Sequence, residues 1–401
     1  MNRRIDSIDL LRGVVMVIMM LDHTRDFVHN AALQFDPTDL SRTNIALFLT
    51  RWITHFCAPV FVFLAGTGAY LQLARGKSKA ELSRFLVTRG LWLIFLELTL
   101  VKLGVFFNPE IRFLGFLQVI WVIGISMIIL AMLIYLPKSV IAAIGLLMIA
   151  LHNLLDGHRV AGWHGPGSPT PAFSEKLWIL LHQAFSAFPI LGDNTPVIAV
   201  IYPLIPWVGV MAAGYVFGAL YQLDAQRRRR LLLIIGGAAT ALFIVIRAIN
   251  IYGDPSQWSQ QKNLVFAVLS FLNTTKYPPS LLFLLMTLGP SILALALFEA
   301  KESGGGIRNA LVTFGRVPLF FYLLQWYTAH LFSILLHFAF GKPVSWLWQS
   351  PLNFGQPQPG IGFNLVVVYL VWIAGVLLLY PLCKWFAGVK QRRRDWWLSY
   401  L

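Results

Sequence analysis

Runs of about 20 mostly apolar residues, the length a helix needs to cross a bilayer, recur from one end of this chain to the other. We place about ten: near 10–28, 46–73, 85–106, 113–136, 139–155, 196–221, 231–252, 279–298, 310–338 and 362–386. The run near 139–155 is the shortest. The expectation is an all-α, polytopic integral membrane protein forming a single transmembrane domain over residues 1–401. Composition agrees, with 57% hydrophobic and only 12% charged residues, where a soluble protein carries roughly 25% charged.

Lys and Arg gather in alternate loops: Arg3 and Arg4; Arg75, Lys77, Lys79 and Arg84; Lys138; Arg227 to Arg230; Lys301 and Arg308; Lys390 and Arg392 to Arg394. With ten spans all of these fall on one side, which puts both termini in the cytoplasm and the chain in the cytoplasmic membrane. The net charge of +15 is then counter-charge to anionic headgroups, and nucleic acid is not an expected partner. Cys57 and Cys383 fall toward opposite ends of their spans, so no intrachain disulfide and no cysteine metal site is expected. The first span lacks a small-residue cleavage site and holds Asp22 and His23, so it reads as a retained helix.

The long loops, about 29–45, 156–195, 253–277 and 339–361, fall on the outer side. The largest contains an apolar stretch, Leu177 to Phe188, expected as an interfacial helix. These loops form either a substrate mouth or solvated connectors with aromatic anchors. Pro59, Pro203, Pro206, Pro278 and Pro279 break three spans at the outer leaflet. Carbonyls freed there must face protein or a wet cavity, so the prolines mark an outer polar cavity or packing kinks. Gly66, Gly68, Gly214 and Gly218 suit close helix contact.

Ionisable groups inside a membrane are costly, so each is a functional candidate. The densest set is in the first span: Arg12-Gly13, then Asp22-His23-Thr24-Arg25-Asp26. His23 and Asp26 stand three apart, Asp22 and Asp26 four apart, so they are neighbours on a helix. A carboxylate beside an imidazole raises its basicity and sets its tautomer, which suits a general base. Arg12 and His23 share a helix face and stand roughly 16 Å apart along it. A cation at one mouth with a base that far inward suits a ligand with an anionic head and a long thin arm, the shape of an acyl-coenzyme A. The structural alternative is an arginine snorkelling to headgroups and a charge cluster that seals a bundle.

Further candidates are Arg51 and His55, four apart in the second span, Glu97 and Lys102, Arg247 and Asn250, and Lys276. Glu97 and Lys102 are five apart and not expected to pair. Tyr322, Trp326 and His330 recur at four-residue spacing, with Gln325 beside them. His152, His158, His164, His182 and His337 lie in or near outer loops without metal-ligand spacing, so no metal is expected. Phosphate-loop, dinucleotide and nucleophile-elbow motifs are absent, and Gly304 to Gly306 form a flexible loop.

The stretch Arg4-Ile5-Asp6-Ser7-Ile8-Asp9-Leu10-Leu11-Arg12-Gly13 through Asp22-His23 resembles the first span of the transmembrane acyltransferase superfamily, which includes the heparan-α-glucosaminide N-acetyltransferases and the type-three membrane acyltransferases. His55 to Gly66, Tyr202 to Gly209, Lys276 to Pro290 and Gly315 to Trp326 resemble bacterial relatives of the N-acetyltransferase family. In the type-three family an Arg-Gly step precedes a catalytic histidine at the Arg12–His23 spacing, so the resemblance gives His23 that role. The lumenal histidine of the animal N-acetyltransferases corresponds instead to His29. Their acidic residue before the second-span proline is His55 here. The Arg-x-x-Arg pair of the type-three family is replaced by Arg84 and Arg89, five apart.

The resemblance implies an acyltransferase. Acyl-coenzyme A, with acetyl the favoured group, binds from the cytoplasm with Arg12, Arg84 and Arg89 at its phosphates. His23, oriented by Asp22 or Asp26, acts as base or transient acyl carrier. The acceptor is a glycan or other extracytoplasmic molecule, with Arg25, His55, Trp207 and Lys276 as candidate contacts, and a homodimer is allowed. A secondary transporter using the same charges is the competing function; inverted repeats would favour it, and none is visible.

Overall fold

The computed structural model describes residues 5–191, 195–299, 305–353, 359–393 and 395–400. Arg3, Arg4, Lys301, Gly304 and Arg394, invoked above, lie outside the described residues. The chain is a multi-pass helical membrane protein. In order it forms α1 (Asp6–Val28), α2 (Ile45–Thr54), α3 (Cys57–Ala74), α4 (Lys79–Leu96), α5 (Lys102–Phe106), β1 (Phe113–Leu117), α6 (Val119–Leu133), α7 (Lys138–Leu151), α8 (Phe173–His182), β2 (Ser186–Leu191), β3 (Thr195–Val200), α9 (Leu204–Phe217), α10 (Ala225–Ile249), α11 (Leu264–Leu272), α12 (Leu281–Glu299), α13 (Gly306–Arg316), α14 (Pro318–Ala339) and α15 (Leu365–Arg392).

Among the described residues, seven helical segments are long and apolar enough to cross a membrane: Ile45–Ala74, Lys138–Leu155, Leu204–Gln222, Ala225–Ile249, Leu281–Glu299, Pro318–Ala339 and Leu365–Arg392. The other three expected spans are helical too. Helix α1 is long enough but carries too many charges, α6 is shorter, and α4 continues to α5 through a π-helical turn, Glu97–Val101.

Several boundaries differ from the sequence expectation. The second span breaks between α2 and α3, just before Pro59. The run near 310–338 breaks at Val317, where Pro318 starts α14. The beginnings of the runs near 113–136 and 196–221 are strands β1 and β3. With β2 they make a small sheet of order β1-β3-β2, parallel on one side and antiparallel on the other. The stretch Leu177 to Phe188, expected as one interfacial helix, ends helix α8 and begins strand β2. Short apolar runs rich in Val, Ile and Phe fit strand as well as helix, and pairing decides between them.

Helix α1 is the hub, in contact with α2, α3, α12, α13, α14 and α15. Carbonyls along it are bonded from three neighbours: Cys57 Sγ to Val15 O, Trp372 Nε1 to Val17 O and Ser333 Oγ to Phe27 O. Gly13 crosses Gly315 of α13, where a side chain at either position would collide with backbone of the other helix. Gly66 and Gly214 bring α3 against α9 in the same way, the close approach that small residues permit in membranes. Helices α10 and α15 lie at the periphery, only 22% buried, against 67% for α2–α3 and α9. Their exposed Leu233, Ile244, Leu370 and Leu377 form a surface suited to lipid.

The basic segments share one end of the bundle. Contacts there join α10 to α12 (Arg228–Glu299, 2.9 Å), α1 to α13 (Arg316–Asp6, 3.6 Å) and α4 to the C-terminal tail (Thr88–Tyr400, 2.7 Å). Lys79 sits over Tyr135 and Lys138 over Tyr70. Cys57 and Cys383 are both free and buried.

Candidate active site

His23 lies on the buried length of α1, and α14 supplies its walls. The four-residue spacing on α14 lines up with α1: Trp326 stacks on His23 (centroids 3.6 Å, 19°), Tyr322 meets its edge (6.5 Å, 76°), and His330 stacks on Phe27 (4.6 Å). Nδ1 of His23 has no hydrogen-bond partner among the described residues, and neither has Nδ1 of His55, Nε1 of Trp207 or either amide atom of Gln325. Buried polar groups are seldom left so, and the two unpaired imidazole nitrogens, which share Asp22, Arg51 and Lys276 as charged neighbours, mark a place for a polar ligand or bound water.

The acidic neighbours of His23 are engaged elsewhere. Asp22 accepts from Arg51 Nη1 on both oxygens (2.8 and 2.7 Å) and from Thr54 Oγ1 (2.8 Å), and pairs with Arg25 Nη1 (2.7 Å). Asp26 pairs with Arg25 Nη2 (2.5 Å) and is half exposed. No hydrogen bond joins either carboxylate to the imidazole, so the orienting role read from helical spacing is not formed here. Two buried guanidiniums outcompete a neutral imidazole for the same oxygens. What holds the His23 ring is Trp326.

Lys276, in the turn before α12, lies within electrostatic reach of Asp22, His23 and His55. His55 closes α2 and packs against Phe283 (5.3 Å). Trp207 is fully buried against Tyr202 (5.4 Å), which touches Tyr277 (5.3 Å). It therefore supports this wall from behind rather than facing a ligand. His29 follows α1, and its Nδ1 accepts from the Ala31 amide (3.1 Å). The lone pair of that nitrogen is already used.

A cavity of about 610 Å³ opens at the basic end. Its mouth carries Arg12, Arg75, Lys77, Arg89, Arg316 and Lys390, and its inner wall carries Met16, Leu319, Ile120 and Tyr322. Arg12 donates to Gly315 O (3.1 Å) and to Asp9 (3.2 Å), which sets its guanidinium at the α1–α13 crossing. Arg89 bonds the Ser399 carbonyl. Arg84 does not line this cavity; its side chain is exposed on α4, because a five-residue step turns it away from Arg89. Arg75, Lys77, Arg316 and Lys390 were not singled out for this site from the sequence, where most stood only as charges flanking spans.

The remaining polar candidates are braces. Glu97 accepts from the amides of Ile120 and Trp121 (3.1 and 3.0 Å) at the start of α6. Lys102 donates to the carbonyls of Glu110 and Phe113, so the two do not pair. Arg247 donates to four carbonyls, those of Ser256, Ser270, Phe271 and Asn273. Among the described residues the fold does assemble a group that sequence spacing does not reveal. His152, Asp156 and His182 bring one ligand atom each within 4.8 Å of one another.

No curated protein matches the chain. Residues 4–256 match the family model described as heparan-alpha-glucosaminide N-acetyltransferase, catalytic. That match takes in His23, His55, Arg89 and Trp207 and stops before Lys276 and α14. It spans more than half of a multi-pass helical protein whose first helix carries a buried histidine, and the chain belongs to the heparan-alpha-glucosaminide N-acetyltransferase catalytic family.

Proposed function

We propose that this protein moves an acyl group, acetyl in the first instance, from acyl-coenzyme A to an amine or hydroxyl of a glycan or other acceptor on the opposite side of the membrane. One observation carries the reading: the cavity with six cations at its mouth runs inward to Tyr322, whose ring meets His23 edge-on. Arginine and lysine there suit phosphates, and the apolar inner wall suits the thin pantetheine arm and the thioester. The basic end faces the cytoplasm by the positive-inside rule. Arg12 and Arg89 meet the nucleotide phosphates, with Arg75, Lys77, Arg316 and Lys390 around them.

His23 does the chemistry by one of two routes. As general base, it takes the proton of the acceptor amine or hydroxyl while that group attacks the thioester carbonyl. The C–S bond then breaks, and the imidazolium returns the proton to the departing thiolate. As acyl carrier, its ring nitrogen attacks the thioester carbonyl, the C–S bond breaks and the ring's N–H proton passes to the departing thiolate. The acceptor then attacks the acyl-imidazole, the C–N bond breaks and the acceptor's proton returns to the released ring of His23. In both, the cations Arg25, Arg51 and Lys276 outnumber the carboxylates Asp22 and Asp26, which favours the oxyanion of the tetrahedral intermediate. Lys276, His55 and Arg25 line the acceptor side, and Trp207 positions it through Tyr202 and Tyr277.

Binding of the donor is the test. Thermal unfolding of the detergent-purified protein is followed with increasing acetyl-coenzyme A, with adenosine diphosphate as control. A ligand that binds only the folded state adds about 2.7 kcal/mol at a hundredfold excess over its Kd. The expected result is a saturable rise that Arg12→Ala removes. No rise with acetyl or longer acyl forms overturns the reading and moves the function to a solute path.

A further inference from the structure

Outside the His23 site the fold gathers His152, Asp156 and His182 at the end away from the basic loops. His152 follows α7, Asp156 ends the 3₁₀ turn His152–Leu155, and His182 is the last residue of α8. Asp156 and His182 stand 26 positions apart in the sequence, so no local constraint makes them meet. His152 Nδ1 and His182 Nε2 face each other at 3.2 Å, and Asp156 Oδ1 stands 3.8 Å from the same His182 nitrogen. Both imidazoles are buried, at 2% and 4% exposure, while the Asp156 side chain is 19% exposed.

We propose that His152, His182 and Asp156 form a binding site for a divalent transition-metal ion of the zinc type. Two imidazole nitrogens bound tetrahedrally at about 2.0–2.1 Å stand roughly 3.3 Å apart, close to the separation found here. Two histidines and one carboxylate make a three-ligand set, with the fourth position left for water on the side where Asp156 meets solvent. A surrounding shell is present as well. Asn153 Nδ2 donates to the second oxygen of Asp156 (2.8 Å), which leaves Oδ1 for an ion, and the Pro279 carbonyl lies beside the His152 ring. Contacts of this kind orient metal ligands. Asn153 Oδ1 also accepts from the Leu281 amide at the start of α12 (2.9 Å). An ion at this site would therefore clamp α8 and its loop onto α7 and onto the turn that carries Lys276. The proposal stands independently of the acyl-transfer reading.

The test uses tag-free protein, purified in detergent and stripped with a chelator that is then removed. Co²⁺ is titrated in while visible absorption is recorded, and Zn²⁺ is added to compete. The expected result is one Co²⁺ per chain with the intense visible bands of a four-coordinate site, displaced by Zn²⁺. His152→Ala and His182→Ala should each weaken binding by more than the roughly 10- to 100-fold that loss of an outer-shell partner costs. Asp156→Asn should weaken it while leaving the protein's thermal midpoint without metal unchanged. Wild-type protein that binds no Co²⁺ saturably, or Asp156→Asn and His182→Ala proteins that bind Co²⁺ as tightly as wild type, overturns the proposal. The wild-type titration decides even where a histidine variant fails to fold.

Discussion

Replacing Asp22 with Asn separates a structural role for this carboxylate from the catalytic one its position beside His23 invites. Asp22 takes two contacts from Arg51, one from Arg25 and one from Thr54, all between 2.7 and 2.8 Å. The side chains of Asp22, Arg51 and Arg25 are 12%, 11% and 4% exposed. Asn keeps the shape and one acceptor oxygen but removes the charge that two guanidiniums share. Breaking one partner out of a buried ion pair costs roughly 3–5 kcal/mol, and we expect Asp22→Asn to fall in that range. The assay is reversible unfolding in mixed detergent micelles, followed by tryptophan fluorescence, for wild type, Asp22→Asn, Arg51→Gln and the double variant. Because both single changes remove the same interaction, the double variant should be less destabilised than the sum of the two by about 0.5–3 kcal/mol. A loss below about 1 kcal/mol for Asp22→Asn, together with additive single changes, would refute this account.

His23→Ala should abolish acyl transfer while the protein still folds and inserts; transfer near the wild-type rate, measured with radiolabelled acetyl-coenzyme A, would rule His23 out. Arg89→Ala should weaken acetyl-coenzyme A binding and Arg84→Ala should leave it unchanged, because Arg89 lines the cavity and Arg84 does not; equal effects in a binding titration would remove the cavity as the donor site. Glu110 is held down to about 2 by its hydrogen bonds from Arg112. Its folded pKa lies below the unfolded value near 4.5, so its contribution to stability is present above pH 4.5 and lost as pH falls toward 2. Unfolding curves of Glu110→Gln should therefore show a smaller loss of stability than wild type across that window.

Helicity across the spans was legible in the sequence because it is a local requirement. A backbone in lipid must pair its own donors and acceptors, and a long apolar run has one way to do so. The gathering of basic loops at one end follows from the same alternation of span and loop. The glycines at 66 and 214 also announced a close helix crossing, whereas that of Gly13 with Gly315 emerged only from the packing of α1 on α13. Other features were not local. The strands at 113–117 and 195–200 share the composition of the apolar runs that continue from them, and only pairing into a sheet distinguishes them. The spacing of Asp22, His23 and Asp26 suggested a carboxylate–imidazole pair, but Arg51 arrives from another helix and takes the carboxylate. The face of Tyr322, Trp326 and His330 was visible as a pattern, yet its partner, the ring of His23, was set by how α14 lies on α1. His152 and His182 are 30 residues apart and meet only because α7 and α8 converge. Periodicity and burial are properties of a segment and can be read along it; which side chain faces which charge depends on how segments pack, and that is decided only when the whole bundle closes.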